Sequence, residues 1–410
     1  MNKIILILIL LLIIPGIVDP SISIKDRSGK ILAGIEISEY EKILPAYGPL
    51  DRLFCSGDIC YFIIPEYKVD SIIKDGFRIR SLHDLPEKRS GISTTYYDIN
   101  GSYHNYNETY ELLSDLALRY PEYARLISIG KSIEGRNIYV LKISDNVNEE
   151  ESEPNIFFLG CHHAREWISV EIPLLFAQYL LTNIENDAEV RKAVNGTQIY
   201  ILPILNPDGL EFSITHYRYW RKNRRYNGDL TWGVDLNRNY SYKWGLSNEG
   251  SSPSPLSEVY RGTGPFSEPE TKALEEFMTK EVPSGVLSYH NFSQLILYPW
   301  GYTLEPPEDF DELDKIGRKM SEMIFEVNGR KYVPGSGSYN IYETNGDMVD
   351  WVYGTFRVPA FTIELPPGYY FEGGFFTSNE EISITFSENL PAMMYFTNYF
   401  IDNKFPEKEN

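Results

Sequence analysis

His163 and Glu166 lie three residues apart in GCHHAREW, directly after an apolar run, Ile156 to Leu159, that reads as a buried strand. A histidine and a carboxylate at i and i+3 can approach one ion from the same side, giving two of the three protein ligands a catalytic zinc needs. Strand ends that open into loops are where α/β folds place such sites. Alone, the spacing is common. His162 competes for the role, but its i+4 partner is again Glu166. A third ligand must come from elsewhere in a chain with six histidines. His290, in LSYHNFSQLILYPWGY, also closes an apolar run, whereas His83, His104 and His216 lie in polar or loop-like contexts.

Two further groups could do chemistry. RYWRKNRR, Arg218 to Arg225, and DLNRN, Asp235 to Asn239, form a basic island in a chain of net charge −20. Such an island is either a solvated loop balancing nearby acids or a pocket for an anionic group, where arginine gives planar, bidentate recognition of carboxylate. Glu364 ends the strongly apolar run Ala360 to Leu365. A carboxylate there is costly unless it is paired, bound to metal or catalytic.

The elements that must position these residues alternate. Strand-like runs cover Ile138 to Ile143, Ile156 to Leu159, Ile199 to Leu205, Gly285 to Tyr289 and Ala360 to Leu365. Helical periodicity covers Asn105 to Arg119, stopped by Pro121, and about Glu166 to Thr182. Another helix is expected from Ser267, with Ser267 to Glu270 as a capping box, and a last one within Asn379 to Phe400. The pattern predicts an α/β fold: one large domain with a mixed, mostly parallel central sheet flanked by helices, preceded by a small α+β segment.

The 410 residues are 42% hydrophobic and 23% charged, enough to bury a large core, which excludes global disorder. The acidic balance excludes nucleic acid as a natural partner. Residues 1–23 read as a signal peptide: Lys3 precedes the aliphatic run Ile4 to Ile14, too short for the roughly 20 residues that span a bilayer. The expected address is secreted, with an N-terminal anchor as the alternative, and no stable membrane insertion after cleavage. Residues 24–92 form a separate N-terminal segment ending in a charged stretch with the dibasic pair Lys88-Arg89, and 93–410 the main domain. Three cysteines cannot staple this fold; Cys55 and Cys60 could close one local disulfide, leaving Cys161 as a buried small hydrophobe. Asn-x-Ser/Thr sequons fall at Asn100, Asn107, Asn195, Asn239 and Asn291.

Six segments in one order, GCHHAREW, RYWRKNR, VDLNRNY, SYHNFSQLILYPWGY, IYETNGDMVDW and FTIEL, together resemble the zinc metallocarboxypeptidases, the family of pancreatic carboxypeptidases A and B. The resemblance covers roughly Tyr96 to Tyr399. It implies one zinc per chain, held by His163, Glu166 and His290, with Asp235 orienting His163. It implies Glu364 as general base and Arg221 as the group beside the developing oxyanion. It further implies Asn237, Arg238 and Tyr342 as a clamp on a peptide's C-terminal carboxylate, with Arg165 as a secondary carboxylate contact. Val349 occupies the position that sets side-chain preference, apolar here, and Ile341, Thr344 and Thr362 fit a hydrophobic pocket. Asp347 departs from the family's usual glycine, so basic side chains are a second option. The implied activity is release of single residues from peptide or protein C-termini. A zinc-binding module without catalysis, and a cell-wall peptide hydrolase or deacylase of the same fold, are the alternatives. Residues 24–92 sit where the family carries an activation domain, so a zymogen is expected. After Glu364 the run LPPGYYFEGGFF departs from the pancreatic pattern.

Overall fold

The computed structural model describes residues 30–36, 38–40, 42–43, 51–56, 59–79, 81–83, 103–149, 151–228, 230–369 and 372–403. The expected signal peptide, the Lys88-Arg89 stretch and Asn100 lie outside them, as do the side chains of Cys55 and Cys60. The chain divides into two compact units, Met1–Ile92 and Ser93–Asn410. In the first, strands β1 (Lys30–Glu36), β2 (Asp51–Ser56), β3 (Ile59–Pro65) and β4 (Ser81–His83) form an antiparallel sheet in the order β2-β3-β1-β4. Helix α1 (Glu66–Lys74) lies over β1 and β3, and Ala33, Ile35, Phe62, Ile64, Val69 and Ile72 form the core.

The second unit opens with α2 (Tyr106–Arg119), whose entry is fixed by a capping box: the Asn105 side chain accepts from Glu108 N at 3.0 Å, and the Glu108 carboxylate accepts from Asn105 N at 2.9 Å. Then follow β5 (Ala124–Lys131), β6 (Asn137–Ile143), β7 (Asn155–Leu159), α3 (Ile168–Asn183), α4 (Ala188–Gly196), β8 (Gln198–Leu202), α5 (Pro207–Thr215) and α6 (Pro269–Lys280). The chain continues through β9 (Gly285–Asn291), β10 (Leu295–Tyr298), α7 (Phe310–Asn328), β11 (Val333–Ser336), α8 (Met348–Phe356), β12 (Ala360–Leu365) and α9 (Asn379–Asp402). These strands form one eight-stranded sheet in the order β11-β10-β12-β9-β7-β8-β6-β5. The centre, β12-β9-β7-β8, is wholly parallel; the pairs β5–β6, β6–β8 and β10–β12 are antiparallel, and the edge strand β11 runs parallel to β10. The predicted α/β class is therefore the observed one.

The central strands are continuous apolar runs because both sheet faces are covered. Phe158, Ile156 and Leu287 point into one core with α3 and α9, while Phe157, Val286 and Tyr200 point into the other with α6 and α8. Burying each such side chain contributes roughly 1.5–3 kcal/mol. Among the described residues no helix is long and apolar enough to cross a membrane.

Two expectations change. The strand expected to reach Leu205 stops at Leu202, because Pro203 has no N–H to donate and the chain turns so that Leu205 N bonds Gly160 O at 3.2 Å. The capping box at Ser267 does not form: α6 begins at Pro269 with Glu268 as its cap and no side-chain cap bond. Tertiary partners take its groups instead, the Ser267 hydroxyl bonding Glu268 and Asn239 and the Glu270 carboxylate accepting from Asn223 and Ile133. Asn239 and Asn291 are buried, so neither sequon presents a surface for a glycan.

Candidate active site

The C-terminal ends of three adjacent parallel strands meet at one place. β7 runs into the loop 160–167, β9 ends on His290 and Asn291, and His290 stands in register opposite Glu364 of β12. Open α/β sheets form their crevices at such strand ends.

Two imidazoles and a carboxylate converge there. His163 Nδ1 lies 2.8 Å from Glu166 Oε1, His290 Nδ1 lies 2.9 Å from Glu166 Oε2, and the two Nδ1 atoms are 3.1 Å apart. Their other nitrogens face outward: His163 Nε2 is 3.3 Å from Asp235 Oδ1, an ion-pair contact without hydrogen-bond alignment, and His290 Nε2 is 3.2 Å from Ser288 Oγ. Polar groups on both Nε2 atoms turn the Nδ1 lone pairs toward a common point. With ligand atoms within 4.8 Å of one another, this donor set fits a catalytic zinc site. His162 is turned away, with Nε2 2.8 Å from the Tyr240 hydroxyl, and burial lowers its pKa well below the ordinary range.

The loop is held in place bond by bond. Carbonyls of Gly160 and Cys161 accept from Leu205 N and Asn206 N, and those of His162 and Ala164 from the Asn206 amide and the Ser213 hydroxyl. Arg165 O accepts from Arg218, and Glu166 O from Ser169. Cys161 is buried, as expected, and starts the loop in the left-handed region at φ 54°.

Charge complementarity continues outward. Burial pushes Glu166 up, but the neighbouring His163 and His290 hold it well below the usual carboxylate range. Burial likewise opposes ionisation of Asp235, and Arg221 with His163 overcomes it. Asp235 Oδ2 accepts Arg221 Nε at 3.1 Å and Nη2 at 2.9 Å, while Oδ1 accepts Asn237 N at 3.0 Å. Arg221 Nη1 is left 4.0 Å from Glu166 Oε1, and Arg221 O accepts Ala164 N at 2.9 Å. Glu364 is half-buried; desolvation and the Glu166 charge push its pKa well above the ordinary value. A cation among these groups opposes that shift.

Arg238 is 2% exposed, and its guanidinium donates only to neutral oxygens: Gly250 O at 2.7 Å, Asn237 O at 2.6 Å and the Tyr342 hydroxyl at 3.3 Å. Among the described residues no carboxylate pairs with it. Asn237 Oδ1 accepts Met348 N at 2.9 Å, tying the clamp to the start of α8. There Val349 is buried, and Asp347 caps the helix, with Oδ1 accepting Asp350 N at 3.0 Å and Oδ2 accepting the Thr344 hydroxyl at 2.6 Å. Arg165, between the two metal-site residues of the loop, is buried, with its guanidinium 4.2 Å from the Phe375 ring centroid.

Residues that the motifs did not single out complete the surroundings. Asn223, Glu268 and Glu270 form a buried polar cluster beside the basic island, with Asn223 Nδ2 2.7 Å from Glu268 Oε2 and 3.2 Å from Glu270 Oε2. The available signal was an uncharged residue inside RYWRKNRR. Burial, reinforced by Glu268, pushes Glu270 up to about 7. A carboxyl whose folded pKa exceeds its unfolded value stabilises the fold fully at low pH. That stability falls as pH rises between about 4.3 and the folded value. Glu270→Gln is therefore expected to flatten the pH dependence of the melting temperature between pH 5 and 7; parallel curves for variant and wild type would refute the assignment.

The fold and site together define a metallopeptidase of the carboxypeptidase type. Residues 109–392 match the zinc carboxypeptidase family, and the chain belongs to that family. Carboxypeptidase A4 of Mus musculus is 35% identical over 292 residues, 70% of this chain and 67% of that protein. Carboxypeptidase B of Astacus astacus is 34% identical over 307 residues, 73% of this chain and 98% of that protein. The crystal structure of thrombin activatable fibrinolysis inhibitor matches with a TM-score of 0.76 at 27% identity, covering 92% of this chain and 99% of that one. Carboxypeptidase A from Helicoverpa armigera matches over the same shares with a TM-score of 0.77 at 23% identity, a likeness of fold alone. The chain is a metallocarboxypeptidase, a peptide hydrolase acting at C-termini.

Proposed function

We propose that this is a secreted enzyme that releases single C-terminal residues, hydrophobic ones preferred and basic ones accepted less well. We further propose that residues 1–23 are a signal peptide and residues 24–92 a removable propeptide. The observation that carries the exopeptidase reading at this site is Arg238, a buried cation near the metal triad that among the described residues has no anionic hydrogen-bond partner. A C-terminal carboxylate supplies that partner, and the Asn237 amide N–H and the Tyr342 hydroxyl complete its clamp. A mid-chain peptide bond leaves the cation unpaired, at a cost on the order of 3 kcal/mol.

His163, Glu166 and His290 hold the zinc, and Asp235 keeps His163 in the tautomer that presents Nδ1. When bound, zinc supplies a Lewis acid and lowers the pKa of water toward ~7. Glu364 takes the proton of the attacking water and passes it to the leaving amine. Arg221, oriented through Nε and Nη2 by Asp235, directs Nη1 at the negative charge that develops on the carbonyl oxygen. Val349 gives the pocket its apolar character. Both oxygens of Asp347 already accept a hydrogen bond, which supports the hydrophobic preference, although the carboxylate still favours a cation nearby. Arg165, whose face rests on Phe375, adds a secondary contact to a substrate carboxylate through the in-plane N–H groups of its guanidinium.

The test uses purified full-length protein, before and after nicking with trypsin, and peptides differing only in their last residue, Phe, Leu, Lys or Glu. Single-residue loss followed by mass spectrometry is expected to be chelator-sensitive and fastest for Phe and Leu. Amidating the C-terminus of the Phe peptide removes the charge that Arg238 binds, and kcat/KM is expected to fall by about 10²-fold or more. Equal rates on acid and amide would overturn the clamp. Activity that does not rise on nicking would overturn the propeptide.

A further inference from the structure

Two buried asparagines tie the Arg221 and Arg238 segments to one place, the N-terminus of α6. Asn223 lies two residues beyond Arg221, and its Nδ2 reaches the carboxylates of Glu268 and Glu270. Its Oδ1 accepts Val234 N at 2.8 Å, and its own N donates to Val234 O at 3.0 Å. Val234 precedes Asp235, so the Asn223 amide fixes the backbone of Arg221 against the carboxylate that grips the Arg221 guanidinium. Asn239 follows Arg238 directly. Its Oδ1 accepts the Thr271 hydroxyl at 2.7 Å and Glu268 N at 3.2 Å. Its Nδ2 points to Arg261 O at 2.9 Å, Gly264 O at 3.0 Å and Ser267 Oγ at 2.9 Å.

We propose that Asn223 and Asn239 are positioning residues that set the spacing between the oxyanion arginine and the carboxylate clamp through the first turn of α6. This rests on the roles given above to Arg221 and Arg238. Neither amide contacts the substrate. Each is a planar group whose two donors and one acceptor oxygen lie on opposite edges, so it can register two backbone segments against a helix end, where an ammonium only donates and a hydroxyl offers a single donor from a single atom. Glu268 belongs to both tethers: its carboxylate receives Asn223 and its backbone N–H is received by Asn239. Small displacements of a group that acts on the reacting atoms are expensive in rate. Because the two tethers serve different arginines, their loss is expressed in different kinetic constants: an interaction made only in the transition state appears in kcat, and a uniform binding interaction in KM.

The experiment measures kcat and KM separately on a C-terminal Phe peptide with zinc-loaded protein, expressed full-length and nicked with trypsin before assay. Asn223→Ala is expected to lower kcat about tenfold with KM within about twofold, and Asn239→Ala to raise KM about tenfold with kcat within about threefold. Glu270→Gln and Thr271→Val each weaken a single bond to one of the amides at nearly constant volume, and they carry the decision if an alanine variant does not fold. They are expected to move the same constants in the same directions, about threefold. Proportional changes of kcat and KM in both asparagine variants, or no change in the two milder ones, would overturn the proposal. Arg221→Ala and Arg238→Ala serve as references. If the first leaves kcat unchanged or the second leaves KM unchanged, the roles assigned to the arginines fall and take the proposal with them.

Discussion

Glu364→Gln is expected to lower kcat by about 10⁴-fold while leaving the metal content unchanged. The substitution keeps volume and removes the one property the proposed role requires, a carboxylate that can accept a proton and return it. Its place in the fold makes the expectation specific: Glu364 sits in register with His290 on the neighbouring parallel strand, at the same strand ends that deliver the metal loop. Charges of Arg221 and Arg238 favour its ionised form, against burial and Glu166. Since the ionised form does the work, activity is lost as pH falls through the Glu364 pKa, and the acid limb of the kcat/KM profile reports that group. Single-turnover hydrolysis with parallel metal analysis checks the claim. A variant within tenfold of wild type would remove Glu364 from the mechanism.

Stripping the metal with a chelator is expected to reduce hydrolysis to background and to leave the chain folded at a lower melting temperature, both restored by zinc. A ligand that binds only the folded state contributes about 4 kcal/mol when present at 1,000 times its dissociation constant. The loop should survive removal because each carbonyl from Gly160 to Glu166 keeps a protein donor. The ligand nitrogens must be unprotonated to bind, so affinity falls as pH falls. Burial lowers the pKa of His290, which keeps that ring neutral to lower pH. Titration of the stripped protein with zinc at pH 5.5 and 7.5, read by calorimetry, tests the sign. Equal affinity at the two values, or full activity without metal, would contradict the assignment of His163, Glu166 and His290.

Much of the site was legible as residue chemistry. HxxE after a buried strand, an isolated carboxylate at the end of another and an arginine-rich island in an acidic chain each carry a physical cost that invites a functional explanation. What stayed illegible was who satisfies whom. Ser267 and Glu270 have the spacing of a capping box, but Asn223 and Asn239 arrive from distant loops and bind the same groups. A local pattern yields when tertiary partners offer stronger, buried bonds.

By itself, the sequence determined the alternation of elements, the apolar runs of the parallel centre and the residue types at the strand ends. These depend on side-chain period and burial, which are written locally along the chain. Only the tertiary structure decided the order β12-β9-β7-β8, the turning of His163 and His290 so that both Nδ1 atoms face Glu166, and the pairing of the Arg238 guanidinium, among the described residues, with neutral oxygens and not with a carboxylate. Those outcomes depend on long-range pairing and on which buried groups find partners, and no spacing along the chain encodes the distance between residues that meet only after folding.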